Sequence, residues 1–261
     1  MTEIASVDSK NRHKKVSKLL ISQPKPSNAN SPYFKLAEKY GMDVDFKQFI
    51  QIEGVSFKEF RKEKINFLDY SAVIFTSRNA VDHYFRVCIE SKIEMPADMK
   101  YFCVSEQTAN YLQKYITIRK RKMFTGLKTA KDLIDVISKH PTERYVFPCS
   151  DIRKGEIPRF MLENEIVYKE AVLYRTTAAD LSTVDIEKYD MVAFFSPSGV
   201  SSLKTNFPDF EQGEVRIAAF GPTTAKAVMD HDLLLDVEAP MPNAPSMTGA
   251  IELYVKDVNN I

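Results

Sequence analysis

The chain has 261 residues, 44% hydrophobic and 27% charged, with 36 Lys and Arg against 35 Asp and Glu for a net charge of +1. That balance supplies no global field to draw in nucleic acid or an anionic membrane, and neither is expected as a partner. Glycine is scarce, with 8 in all, and the closest pair is Gly213 and Gly221; neither a G-x-G-x-x-G turn nor a G-x-x-x-x-G-K-[ST] loop fits that spacing.

Residues 1–15 are polar and without period, and read as a disordered tail. From there short apolar runs alternate with longer amphipathic stretches. VSKLLIS (16–22) reads as a strand, and Ser31-Pro32 opens a helix that Gly41 stops after Tyr40. AVIFT (72–76) is a buried strand followed by a helix over 79–91, and YFCV (101–104) repeats the form with a helix over 106–115. Further helices are expected over 127–139 and 155–163, with a strand over 144–147 between them. Met191 to Phe195 and Arg216 to Phe220 read as strands, each followed by a helix. The alternation implies βαβ units: an α/β fold with parallel sheets flanked by helices.

Three blocks recur in order. VIFTSRNAV (73–81) lines up with VAFFSPSGV (192–200), SEQTA (105–109) with GPTTA (221–225), and TAKDLI (129–134) with SMTGAI (246–251), at offsets of 119, 116 and 117 residues. A period this long means two similar domains rather than a solenoid. Two segments fall outside the copies: 44–52 (VDFKQFIQI) and 166–176 (IVYKEAVLYRT). Both alternate apolar and polar residues, and as a pair of strands they would make a two-stranded β connection between the domains, with a ligand cleft there.

Ligands of parallel α/β sheets lie at the carboxyl ends of the strands, against helix N-termini. Hydroxyls stand at those places in both copies: Thr76-Ser77, Ser105 with Thr108, Ser196 with Ser198, and Thr223-Thr224 behind Gly221. Each also suits N-capping, which accounts for any one of them alone; four ends matched by a duplication favour an anionic, many-armed ligand. Cys88, Cys103 and Cys149 have no C-x-x-C spacing and His13, His83, His140 and His231 no H-E-x-x-H spacing, so no metal and no cofactor is expected. Unpaired cysteines, a start without an apolar secretory segment and no apolar run of ~18 residues give the expectation of a cytoplasmic protein.

Read together, LLISQP, AVIFTSRNAV, CVSEQTANYL, EAVLYRT, FFSPSGV, AAFGPTTAKAV and APMPNAPSMTGAI resemble the uroporphyrinogen-III synthase family, in order over residues 18–255. The resemblance implies a cofactor-free lyase of haem biosynthesis and a monomer. Its substrate is the linear tetrapyrrole hydroxymethylbilane, which it cyclises with loss of water and inversion of the last pyrrole ring. It further implies that the first βα unit joins the C-terminal part. The domains would then be 16–43 with 176–261, and 53–165, bridged by strands 44–52 and 166–175. Tyr174, in VLYRT, stands where the family has a tyrosine facing the cleft, suited to aid loss of the substrate hydroxyl. Thr108 and Thr224 match family hydroxyls near that cleft, and Ser77 and Ser198 the serines after the second strand of each copy. The residues alone leave open a non-catalytic two-domain anion-binding protein and a transferase for a phosphorylated substrate.

Overall fold

Pro32 opens the first helix, α1 (Pro32–Tyr40), and Gly41 closes it at φ 60° and ψ 44°, a left-handed conformation that glycine adopts without a Cβ penalty. The computed structural model describes residues 14–117 and 119–259; the tail expected over 1–15 lies outside them apart from its last two residues. The described chain divides into two compact units. One comprises residues up to Gln51 and from Thr177 onward; the other runs from Ile52 to Thr176.

The first unit contains β1 (Lys18–Ile21), α1, β2 (Asp43–Phe46), β9 (Met191–Phe194), α7 (Pro197–Asn206), β10 (Arg216–Phe220), α8 (Pro222–Asp230), β11 (Val237–Ala239) and α9 (Met247–Val258). Its sheet has the order β11-β10-β9-β1-β2, with neighbouring strands parallel. Successive side chains of a strand face opposite sides. Leu19 and Ile21 accordingly enter one core with Met191 and Ile251, and Leu20 the other with Phe194 and Ile217.

The second unit is built from α2 (Phe57–Phe60), β4 (Ala72–Phe75), α3 (Arg78–Glu90), β5 (Lys100–Cys103), α4 (Glu106–Tyr111), β6 (Met123–Thr125), α5 (Ala130–Ile137), β7 (Tyr145–Ser150) and α6 (Glu156–Glu163). Two more strands, β3 (Ile50–Gly54) and β8 (Tyr168–Ala178), complete its sheet, in the order β3-β8-β7-β4-β5-β6. Here β4 divides in the same way: Val73 and Phe75 face one core, Ala72 and Ile74 the other. The division between the units falls inside β3 and β8, along which the chain passes from one to the other. Val55 N donates to Leu173 O at 2.9 Å and Ala179 N to Phe49 O at 2.9 Å, so these two strands run in opposite directions.

Several expectations need correction. Segment 44–52 is two strands, not one. β2 pairs in parallel with β1, and the chain then turns so that Phe49, fully buried, packs edge-on against Phe194 with centroids 5.5 Å apart before β3 begins. The segment expected as strand 166–175 is β8, which runs on to Ala178. The helix expected from Leu127 starts at Ala130 because Thr129 and Asp132 form a reciprocal capping box, leaving Leu127 86% exposed. The one expected over 106–115 ends at Tyr111 and continues as a single 3-10 turn, Leu112–Lys114. Among the described residues no helix is long and apolar enough to cross a membrane.

Candidate active site

In the second unit the parallel strands β4, β5 and β7 end on one edge, and α3 and α4 start there. Ser77 is the N-cap of α3, its Oγ accepting the Ala80 N–H at 3.1 Å, and Ser105 caps α4 by accepting from Thr108 N. At the end of β7 the register slips between Cys149 and Ser150, which sets Ser150 opposite Tyr174 of β8. A bulge of this kind re-aims side chains at the end of a ladder. Here Tyr174, only 6% exposed, has its hydroxyl 3.1 Å from Ser77 Oγ, and either group can donate.

A cavity of about 210 Å³ lies beside this pair. Its apolar wall is Val104, Phe147, Cys149 and Ile157, and its polar lining includes Thr76, Ser77, Ser150, Arg153 and Lys154. Burial pushes the Tyr174 phenol above its usual range, and the Ser77 hydrogen bond opposes that only in part. The phenol is therefore neutral at physiological pH, a donor rather than a base. Burial likewise pushes the Cys149 thiol up to about 11, so it is no thiolate. Asp151 accepts from Ser150 Oγ at 2.8 Å and from the N–H groups of Ile152 and Thr176 at 2.9 and 3.2 Å. Burial alone would raise its carboxyl; those three bonds outweigh it and hold the group low.

The first unit has its own carboxyl edge. Ser196 caps α7 by accepting from Gly199 N at 3.2 Å, and Ser198 stands half-buried in the first turn. Gly221 begins α8 at φ 86° and ψ 151° with no side-chain cap, its N–H donating to Ala239 O at 2.6 Å. Thr223 is exposed, while Thr224 is 1% exposed and directed into the unit. Phe195 and Phe220, at the ends of β9 and β10, stack with centroids 6.2 Å apart, and Phe220 is 37% exposed.

Residues 31–249 match the family described as uroporphyrinogen-III synthase HemD. The chain belongs to the uroporphyrinogen-III synthase family. A curated relative, the uroporphyrinogen-III synthase of Saccharomyces cerevisiae, is 27% identical over 216 residues, 73% of this chain and 78% of its own. The fold is that of the uroporphyrinogen-III synthetase from Helicobacter pylori: TM-score 0.57, 16% identity, and 92% of this chain and 99% of that one covered. A mutant uroporphyrinogen-III synthase from Thermus thermophilus gives a TM-score of 0.52 at 14% identity, covering 94% and 100%.

Of the residues that sequence reasoning singled out, the second unit brings Tyr174 and Ser77 into contact, although they lie 97 positions apart. Thr108 is buried at the same edge, its hydroxyl 3.3 Å from Ser105 Oγ, but it is not part of the lining beside Tyr174. Ser196, Ser198, Gly221, Thr223 and Thr224 gather at the helix starts of the first unit. Ser150, Asp151 and the Phe195–Phe220 stack escaped the sequence reading. The signal for the first pair was a polar Ser-Asp step closing the run YVFPC; for the second, an aromatic ending each of two matched strands.

Proposed function

We propose that the chain is a cyclising lyase that converts hydroxymethylbilane to uroporphyrinogen III. The observation that carries this is the neutral, buried phenol of Tyr174, tethered at 3.1 Å to Ser77 over a cavity of about 210 Å³. Because Ser77 Oγ already accepts the Ala80 N–H, its own proton is free to go to Tyr174 Oη. The phenolic proton is then available to the hydroxymethyl oxygen as the C–O bond breaks and water leaves. The α3 N-terminus polarises this relay, since its unpaired N–H groups carry the positive end of the helix dipole.

The pyrrole N–H proton then returns the phenolate to phenol, and loss of water is complete with an electrophilic azafulvene, which closes unaided to the symmetrical isomer. Inversion of the last ring requires its substituted carbon to attack first, giving a spiro intermediate that fragments and recloses. Most of the catalytic task is thus to hold a flexible chain in one attack geometry. In this reading Ser77, Ser196, Ser198 and Thr223 offer the substrate-binding hydroxyls; Thr108 and Thr224 are buried and the Gly221 N–H is held by Ala239 O, so these three shape the helix starts instead. The site works without a cofactor, and the protein acts in the cytoplasm as a monomer. Three free, buried cysteines suit a reducing compartment.

The test is to feed hydroxymethylbilane to the purified protein and separate the product isomers by chromatography. The asymmetric isomer is expected; the symmetrical one alone, at the uncatalysed rate, removes the assignment. Tyr174→Phe is expected to slow closure by about tenfold to a hundredfold and to raise the symmetrical share. An unchanged rate and isomer ratio would take Tyr174 out of the reaction.

A further inference from the structure

The face of Tyr174 is held by a group that the reaction chemistry does not call for. The His83 imidazole, half-buried on α3, stacks on the phenol with centroids 5.1 Å apart and planes 18° from parallel. Arg86, one turn on, donates Nε–H to His83 Nδ1 at 3.3 Å. The same guanidinium donates to Val55 O at 2.8 Å and to Leu173 O at 3.2 Å, and its third nitrogen reaches Glu90 at 3.0 Å. Leu173 directly precedes Tyr174, so one cation ties both the ring under the phenol and the strand that carries it. Gly54 also leaves no room to spare: a Cβ there would sit 3.0 Å from the imidazole.

We propose that His83 and Arg86 are positioning residues for the Tyr174 hydroxyl, and that they hold it only while His83 is neutral. The inference rests on the reading of Tyr174 given above. Arg86 uses the Nδ1 lone pair as an acceptor, which fixes the neutral imidazole with its proton on Nε2. Protonation at Nδ1 replaces that bond with two like charges in contact. Either the guanidinium or the imidazole must then move, and each movement loosens a tether on Tyr174. The charged groups acting on His83 are Arg86 and Asp82, both on α3; from the neighbouring strands, Gly54 of β3 and the Tyr174 phenol of β8 stand against the ring. Burial, and then Arg86, depress the titration of His83, while Asp82 opposes them. An imidazolium would gain something from the phenol face, and that gain is outweighed.

The experiment compares the full chain with His83→Phe, His83→Ala and Tyr174→Phe, recording kcat, KM and isomer ratio with hydroxymethylbilane from about pH 5 to about pH 8. His83→Phe keeps a stacking ring and cannot titrate. It is expected to retain the isomer ratio while losing an acid limb in kcat that the unaltered protein shows near or below the ordinary histidine range of about 6.5. His83→Ala is expected to lower kcat by about threefold to tenfold with little change in KM, and to raise the symmetrical isomer. The same acid limb in His83→Phe, or unaltered kcat and isomer ratio in His83→Ala, overturns the positioning role. A defective Tyr174→Phe beside either result confines the failure to His83. An unimpaired Tyr174→Phe means that the Tyr174 reading itself has fallen and takes this inference with it.

Discussion

The carboxyl edges of the two units are built from the same three helix starts and use them differently. Ser77 and Ser196 cap α3 and α7 in the same way, each accepting the N–H three residues on. Thr129 and Ser246 do likewise for α5 and α9. The middle pair diverges. Ser105 caps α4 with its side chain, whereas Gly221 has none and begins α8 at φ 86°. The second unit also adds Tyr174 to its first cap, where Ser196 of the first unit caps only the Gly199 N–H among the described residues. The matched helix starts thus hold different occupants: one edge carries a tethered phenol, the other a glycine turn whose N–H is held by Ala239 O.

Replacing Gly221 should break this contrast with the largest effect. Alanine at φ 86° and ψ 151° is strained, although no atom would crowd its Cβ. Gly221→Ala is expected to cost about 2 kcal/mol in denaturant unfolding. Gly155→Ala, at the N-cap of α6 with φ −84° and equally open space, is expected to change stability by less than about 0.5 kcal/mol. Equal losses at the two sites would show that the conformation of Gly221 is not what selects glycine there.

The cap serines sharpen the comparison at an intermediate size. Ser196→Ala and Ser77→Ala each remove a side-chain acceptor from a helix start, at about 1 kcal/mol. Ser77→Ala also strands the Tyr174 hydroxyl, and a double-mutant cycle with Tyr174→Phe isolates that second bond. A coupling of about 1 kcal/mol is expected. A cycle that closes to zero would reduce Ser77 to a cap like its counterpart.

These specialisations differ in how far they can be read from the sequence. Cap residues are local, so Ser31-Pro32, Gly41 and the three repeated blocks announced their helices directly. The strands β6 and β11 have three residues each, too few to show a period, and went unread. Segment 44–52 carried its own warning: Phe46 and Phe49 are three apart, a spacing that a single alternating strand cannot bury on one face. The resemblance pointed to Tyr174 and Ser77 separately, but nothing in the sequence announced their contact, since no local pattern joins residues so far apart. His83 was passed over because an isolated histidine has no ligand spacing. Its pairing with Arg86 at i, i+3 on one helix face was nevertheless available.

The units differ last in how an acidic side chain ties helices together, and here the expected effect is smallest. In the second, Asp82 of α3 accepts from Tyr111 at 3.0 Å and Lys114 at 3.1 Å; burial raises its carboxyl, and the hydrogen bonds of Tyr115, Lys114 and Tyr111 overcome it. In the first, Glu252 of α9 accepts from Lys39 at 2.7 Å and Tyr40 at 2.8 Å, both on α1. Those hydrogen bonds take its carboxyl from the ordinary 4.5 down to about 2. A depressed carboxylate contributes its full stabilisation above the unfolded value and loses it as the pH falls through the folded one, here from 4.5 towards about 2. With 31% of the Glu252 side chain and 60% of the Lys39 side chain exposed, solvent and salt screen most of that shift, leaving less than about 1 kcal/mol. Glu252→Gln should therefore destabilise the protein slightly at about pH 6, and the difference from the unaltered chain should shrink on acidification to about pH 3 and in about 1 M salt. A difference that stays constant across both series would mean that Glu252 acts by packing against α1 and not by charge.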